Sequence, residues 1–270
     1  MTLLTQDPRP DLDGLYYPDC DGNPMADNTD QYRWIVIIKE NLEIWFAAMN
    51  DVFVAGDLLW YPIEGDNTIK LAPDVMVAIG APKGRRGSYQ QWKENNIPPQ
   101  VVFEILSPSN YAPEMEEKRR FYETHGAEEF YIYDPSKLRL KGYLRQRGKL
   151  LEIPTLHGWV SPRLQIRFSH LQGELVIYRP DGQRFLTSIE LAAEAEQQRQ
   201  RAEQQQQRAE QQQQRAEFAE AQVRQVTQNN EQQVQQIVLN LLRSGMSASQ
   251  IADITGTSIA QVDRIQAENG

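Results

Sequence analysis

Val101-Val102-Phe103-Glu104-Ile105-Leu106 decides the fold. The run is apolar at both alternating sets of positions, as expected of a strand covered by helices on both sides, and a single carboxylate interrupts it. A second such strand, Pro73-Asp74-Val75-Met76-Val77-Ala78-Ile79-Gly80, opens on another. Placing an ionised acid there costs on the order of several kcal/mol unless a cation, a hydrogen-bond network or a raised pKa compensates. Two of them, Asp74 and Glu104, point to a metal-binding pair and to a divalent-metal phosphodiesterase.

Outward from this pair, residues 31–50 carry Trp34, Ile38, Trp45 and Met49 and read as a helix. A strand follows at 52–61, then the polar turn Glu64-Gly65-Asp66-Asn67. After the Glu104 strand, residues 113–125 predict a helix. Pro113 suits its first turn, Glu114, Glu116 and Glu117 favour its dipole, and Gly126 stops it. Residues 129–133 form another strand closed by Asp134-Pro135, with short strand signals at 138–144, 150–153 and 175–178. This order predicts the α/β class, a mixed sheet flanked by helices. The first thirty residues, rich in Asp, Pro, Asn and Gly, read as an irregular arm.

Past Ser188 the composition changes. Arg201-Ala202-Glu203-Gln204-Gln205-Gln206-Gln207 recurs at Arg208 and degenerates from Arg215 onward, a seven-residue period of good helix formers. Ala195, Ala202, Ala209, Ala216, Val223 and Ile237 share one heptad position, but the second core position is mostly Gln or Arg. Strong coiled coils need both, so a weak coiled coil or a solvated helix is expected over residues 188–236. Residues 237–270 regain a core pattern, with capping-box spacings at Ser247/Gln250 and Ser258/Gln261 around Thr255-Gly256-Thr257. They resemble a helix-turn-helix. The second helix, however, sets Arg264 against Asp263 and Glu268, which suits packing or assembly better than a phosphate backbone. The expected division is therefore 1–187, 188–236 and 237–270.

The chain has 270 residues and a formal charge of −9, which argues against indiscriminate phosphate binding. Local basic surface remains available at Lys83, Arg85, Arg86 and Lys93, and along residues 137–149. The lone Cys20 cannot form an internal disulfide. With no secretory apolar segment and no run of about 18 apolar residues, a soluble cytoplasmic protein without membrane partners is expected.

Mg²⁺, or Mn²⁺ in its place, takes hard oxygen ligands and keeps several waters, so one or two carboxylates and a substrate phosphate suffice. Asp74 and Glu104 meet that minimum, with the backbone carbonyl of Ile105 as a further ligand. Met115, Lys118 and Tyr122 share one helical stripe. That stripe aims the Lys118 ammonium at the sheet, where it can assist the attacking water or stabilise the phosphate. A plain ion pair between Lys118 and Glu104 is the bland alternative, and Tyr122 and Phe130 read first as core. Ser107 lacks a His or Asp constellation, and His125 and His157 lack a second ligand at metal-site spacing.

The sequence resembles the Uma-two type family, bacterial proteins classed with the PD-(D/E)XK restriction-endonuclease-like fold. The resemblance runs over residues 21–134 and more loosely to 190. It rests on Asp21-Gly22-Asn23-Pro24-Met25, the Pro73-Asp74 strand, the 80–86 loop, Trp92, Phe103-Glu104-Ile105-Leu106-Ser107-Pro108-Ser109, Glu114 with Lys118 and Tyr122, and residues 126–135. It implies Mg²⁺-dependent hydrolysis of DNA phosphodiesters, with Asp74 and Glu104 as the metal-binding acids. The lysine of E-x-K would fall on Leu106, and Lys118 matches a position relocated to the next helix. Glu114 stands where the family usually has Asp. A further acid from the first helix often assists in such folds, for which Glu40 or Glu43 is available. Paired active sites in a homodimer are implied too. The competing reading is a non-catalytic scaffold whose Gln-rich helix recruits a protein partner.

Overall fold

The structure, a computed structural model, describes residues 14–20, 22, 26, 28–107, 112–171 and 173–269. Asp21, Asn23-Pro24-Met25, Pro108-Ser109 and much of the expected N-terminal arm lie outside the described residues.

α1 (Thr29–Trp45) starts where the Asn28 side chain accepts the Gln31 N–H at 2.9 Å, satisfying an otherwise orphaned helix donor. Its buried stripe, Gln31, Trp34, Ile35, Ile38 and Leu42, follows helical spacing. The helix stops short of residue 50. Lys83 Nζ caps the freed carbonyls of Phe46 and Ala47 at 2.6 and 3.1 Å, so this basic-loop lysine serves the fold. The strand expected over 52–61 breaks into β1 (Val52–Gly56) and β2 (Trp60–Tyr61). Asp57, between them, has a left-handed φ of 47° and donates its N–H to the Pro73 and Asp74 carbonyls.

β3 (Val75–Ile79), β4 (Tyr89–Gln90), β5 (Val101–Ile105), α2 (Ala112–His125), β6 (Glu129–Asp134), β7 (Arg139–Gln146) and β8 (Lys149–Glu152) follow. The main sheet has the order β1-β3-β5-β6-β7-β8. Only β5 and β6 pair in parallel within it, and α2 supplies the crossover such a pair requires. β2 and β4 form a small parallel sheet, and β9 (Arg167–Leu171) with β10 (Glu174–Tyr178) a two-stranded antiparallel one. The sequence reading foresaw neither β4 nor β9. Two residues leave no period to detect in β4, and β9 buries only Phe168 among polar neighbours.

Alternation sorts the strands onto two cores. Val75, Val77, Val101, Phe103, Ile105, Tyr131 and Tyr133 pack with α1, Phe168 and Ile177 on one face. Met76, Ala78, Val102, Phe130 and Ile132 pack with Met115 and Tyr122 of α2 on the other.

The chain divides into two compact units, Met1–Glu194 and Ala195–Gly270. α3 (Ser188–Arg243) runs through residue 237 without a break. On it Phe218, Val223 and Val226 are exposed. α4 (Ala248–Thr255) begins with a complete Ser247/Gln250 capping box, and α5 (Ile259–Asn269) follows. Val238, Ile251, Ala252, Val262 and Ile265 form a small core of their own. Among the described residues, no helix is long and apolar enough to cross a membrane.

Candidate active site

β3 and β5 run antiparallel with Val75 opposite Phe103 and Met76 opposite Val102. Extending that register by one residue sets Asp74 opposite Glu104. Period-2 alternation then puts both carboxylates on the α2 face, with Met76 and Val102. The pair is thus a consequence of strand register. The Ile105 N–H donates to Asp74 Oδ2 at 2.5 Å, fixing the first carboxylate across the gap between strands.

Glu104, only 2% exposed, is held from α2. Lys118 Nζ donates to its Oε2 at 2.7 Å, and the Tyr122 hydroxyl, one helical turn on, donates to its Oε1. Glu114 lies 4.0 Å from the Lys118 ammonium. Tyr122 is both core and site: its ring stacks on Trp60 and meets Phe130, while its oxygen reaches the carboxylate. Its i+4 spacing from Lys118 was the signal for that second role.

The electrostatics are unbalanced. Burial pushes the Asp74 carboxyl well above the usual range, and the Glu104 charge adds to the rise. The Ile105 hydrogen bond and the Lys118 charge oppose it without reversing it, and Asp57 contributes a further negative charge. Burial alone would lower Lys118, but Glu104 and Asp74 hold its ammonium above the ordinary value. Burial, then Glu104, raises Tyr122 well above the phenol range, so it stays a proton donor. Three carboxylates, Glu104, Asp74 and Glu114, thus surround one ammonium.

From α1, the residue that reaches this region is Gln31, whose Nε2 donates to the Ile105 carbonyl at 2.9 Å. Glu40 and Glu43 instead bind Lys39 at 3.0 and 2.8 Å, with side chains 43% and 45% exposed. The structure therefore brings Asp74, Glu104, Ile105 and Lys118 together and leaves Glu40 and Glu43 on the surface of α1. Gln31 was legible in principle, since it is a polar residue on an otherwise apolar stripe. His125 sits against Trp60 and Phe121, where burial lowers its pKa, and His157 stacks on His170.

The donor set suits a hard cation. Among the described residues, Asp74 Oδ1 accepts no hydrogen bond, leaving a carboxylate oxygen beside Glu104 in a site short of positive charge. No group of three or more His, Cys, Asp or Glu arranged for a metal occurs among the described residues, so a cation here would draw on two carboxylates and backbone oxygen.

A mixed sheet flanked by helices, with acids facing each other on neighbouring strands, fits a restriction-endonuclease-like protein. Residues 30–169 match the profile of the Uma2 family, described as "Putative restriction endonuclease", and the chain belongs to that family. No curated protein matches. Among solved structures, the chain is similar to a "putative nuclease belonging to DUF820 from Anabaena variabilis ATCC 29413". The two are 18% identical with a TM-score of 0.38, over 53% of this chain and 78% of that one.

Proposed function

We propose that the protein is a Mg²⁺- or Mn²⁺-dependent endonuclease that hydrolyses DNA phosphodiester bonds at Asp74, Glu104 and Lys118. The observation that carries this reading is the cross-strand carboxylate pair, with an open oxygen on Asp74 and a lysine bound to Glu104. Asp74, Glu104 and the Ile105 carbonyl would hold the metal, which lowers the pKa of bound water and neutralises charge building on the phosphate. Lys118 would then orient the water or donate to a phosphate oxygen, a role suited to an ammonium already held charged by its neighbours. Tyr122 keeps Glu104 aimed, and Gln31 orients the Ile105 carbonyl. The aromatic and aliphatic floor from Val102, Phe130 and Ile132 excludes water beneath the pair. Purified protein incubated with Mg²⁺ or Mn²⁺ should cut supercoiled, linear or single-stranded DNA. Failure on all three would remove the reading.

A second reading has an observation of its own. Both Glu104 oxygens are taken by Lys118 and Tyr122, and the Ile105 carbonyl by Gln31, as in a closed structural network. In a scaffold of this kind, α3 would recruit a protein partner. For either reading the proposed division is a nuclease-like domain over 1–187, a heptad helix over 188–236 and a helical module over 237–270. Homodimer pairing would come from the domain or the module, since the Ala seam is thin. Sedimentation of full-length protein and of residues 1–187 tests the division. A short form that fails to fold would show that the tail belongs to the core.

A further inference from the structure

The cross-strand row that carries Asp74 and Glu104 continues across the sheet. β5 and β6 pair Glu104 with Ile132, and β6 and β7 pair Ile132 with Lys141. Directly paired residues share a face, so Lys141 lies on the same side as Glu104, two strand spacings or roughly 10 Å away between backbones. Arg139 and Tyr143 flank it on that face at i−2 and i+2. Here a cavity of about 430 Å³ opens, floored by Leu106, Met115 and Ile132 and walled by Arg139, Lys141 and Tyr143.

Its charges are unevenly matched. The acids at its edge are already neutralised: Glu116 is bound by Arg119 and Arg120, and Asp134 by Lys137 and Ser136. Arg139 and Lys141 form no ion pair among the described residues and remain as uncompensated cations in a chain of net charge −9. Several of the other basic candidates are already engaged. Lys83 caps α1, Arg86 pairs with Glu94 over the Phe53 ring, and Lys149 pairs with Glu123. Free cations in an apolar-floored hollow are suited to a desolvated anion that carries an organic body.

We infer that the groove walled by Arg139 and Lys141 grips the phosphodiester backbone of the DNA substrate, at a phosphate near but not at the one attacked. The inference rests on the nuclease reading above and adds to it the surface that positions the strand. The apolar floor and Tyr143 meet the sugar, and the two cations meet the phosphate. Neither cation acts on the reacting atoms, so both are positioning residues.

The test compares full-length wild type with Arg139→Ala/Lys141→Ala and with the charge-preserving Arg139→Lys/Lys141→Arg. Binding of labelled duplex DNA is followed against salt with Ca²⁺ present, and cleavage with Mg²⁺. The alanine variant should keep the wild-type melting temperature, bind roughly tenfold or more weakly, and lose about one unit of the log–log salt slope, as expected for one phosphate released. Its KM should rise with kcat little changed, and the charge-preserving variant should recover most of the slope. Wild type that cuts DNA beside an alanine variant of equal affinity and slope overturns the groove alone. A charge-preserving variant as impaired as the alanine one does the same. Wild type that neither binds nor cuts any DNA form overturns the nuclease reading, and the groove with it.

Discussion

Two buried carboxylate clusters lie in the same sheet, one on each face, and they are built differently. Glu129, at the start of β6, is fully buried on the α1 side. It accepts hydrogen bonds from the Tyr131 hydroxyl at 2.7 Å, Ser161 Oγ at 2.5 Å and the Arg163 N–H at 2.6 Å. Both oxygens are used, and all three donors belong to the fold, so the group pins the 161–164 turn to the strand. Asp74 and Glu104 are also buried, but they face each other, keep one oxygen open and have a lysine within reach. A buried acid in a strand is therefore not enough to mark a site. Two that repel, beside a cation and a vacant acceptor, form an arrangement that stability alone does not explain.

The sharpest break in that comparison is Asp74→Asn against Glu129→Ala. Asn can still accept the Ile105 N–H but carries no charge, so cleavage should fall by roughly 10³-fold. The melting temperature should hold or rise, because the repulsion with Glu104 is gone. Lys118→Met should cost cleavage about 10²-fold and stability about 2 kcal/mol, discounted because the lysine side chain is 18% exposed. Chemical denaturation beside a cleavage assay separates the two losses.

Glu129→Ala should behave in the opposite way. Three donors lose their acceptor at about 1 kcal/mol each, so urea denaturation should show a loss of about 3 kcal/mol. Cleavage per folded molecule should stay unchanged, and a collapse of activity at full stability would join the two clusters into one site. A finer difference appears with pH. Burial raises the Glu129 carboxyl above 4.5, outweighing the hydrogen bonds from Ser161, Tyr131 and Arg163 that pull it down. The folded state therefore holds that proton more tightly than the unfolded chain. The stabilising share of Glu129 is fully present below 4.5 and is lost as pH rises through the raised value. Relative to Glu129→Gln, wild type should lose stability from pH 4.5 towards neutrality, and a flat difference would contradict the raised value. The smallest effect belongs to Tyr122→Phe. It removes one donor to Glu104 without changing the ring packing, so cleavage should fall less than tenfold, with a stability cost of about 1 kcal/mol.

The sequence made the two sites unequally legible. Asp74 and Glu104 stand out because they break apolar runs; alternation between two cores puts both on one face, and the antiparallel pairing of β3 with β5 sets them opposite each other. Lys118 was readable as a charge on an apolar helical stripe. Gln31 carries the same kind of signal on α1, while Glu40 and Glu43, the acids expected from that helix, pair with Lys39. Glu129 follows Glu128 at a strand end and carries no signal of burial in the sequence, because its partners at 161 and 163 are distant along the chain. The break at Asp57 was hidden for another reason. A left-handed φ at a non-glycine residue leaves no periodic trace, and the strand signal ran straight through it.

Titrating Mn²⁺ into full-length protein and into Asp74→Asn, with melting temperature as the readout and no DNA present, tests the central claim most directly. The carboxylate pair predicts a saturable rise in wild type, because a ligand that binds only the folded state stabilises it, and no rise in the variant. A wild-type melting temperature indifferent to Mn²⁺, or an equal rise in both proteins, would contradict a metal site at Asp74 and Glu104.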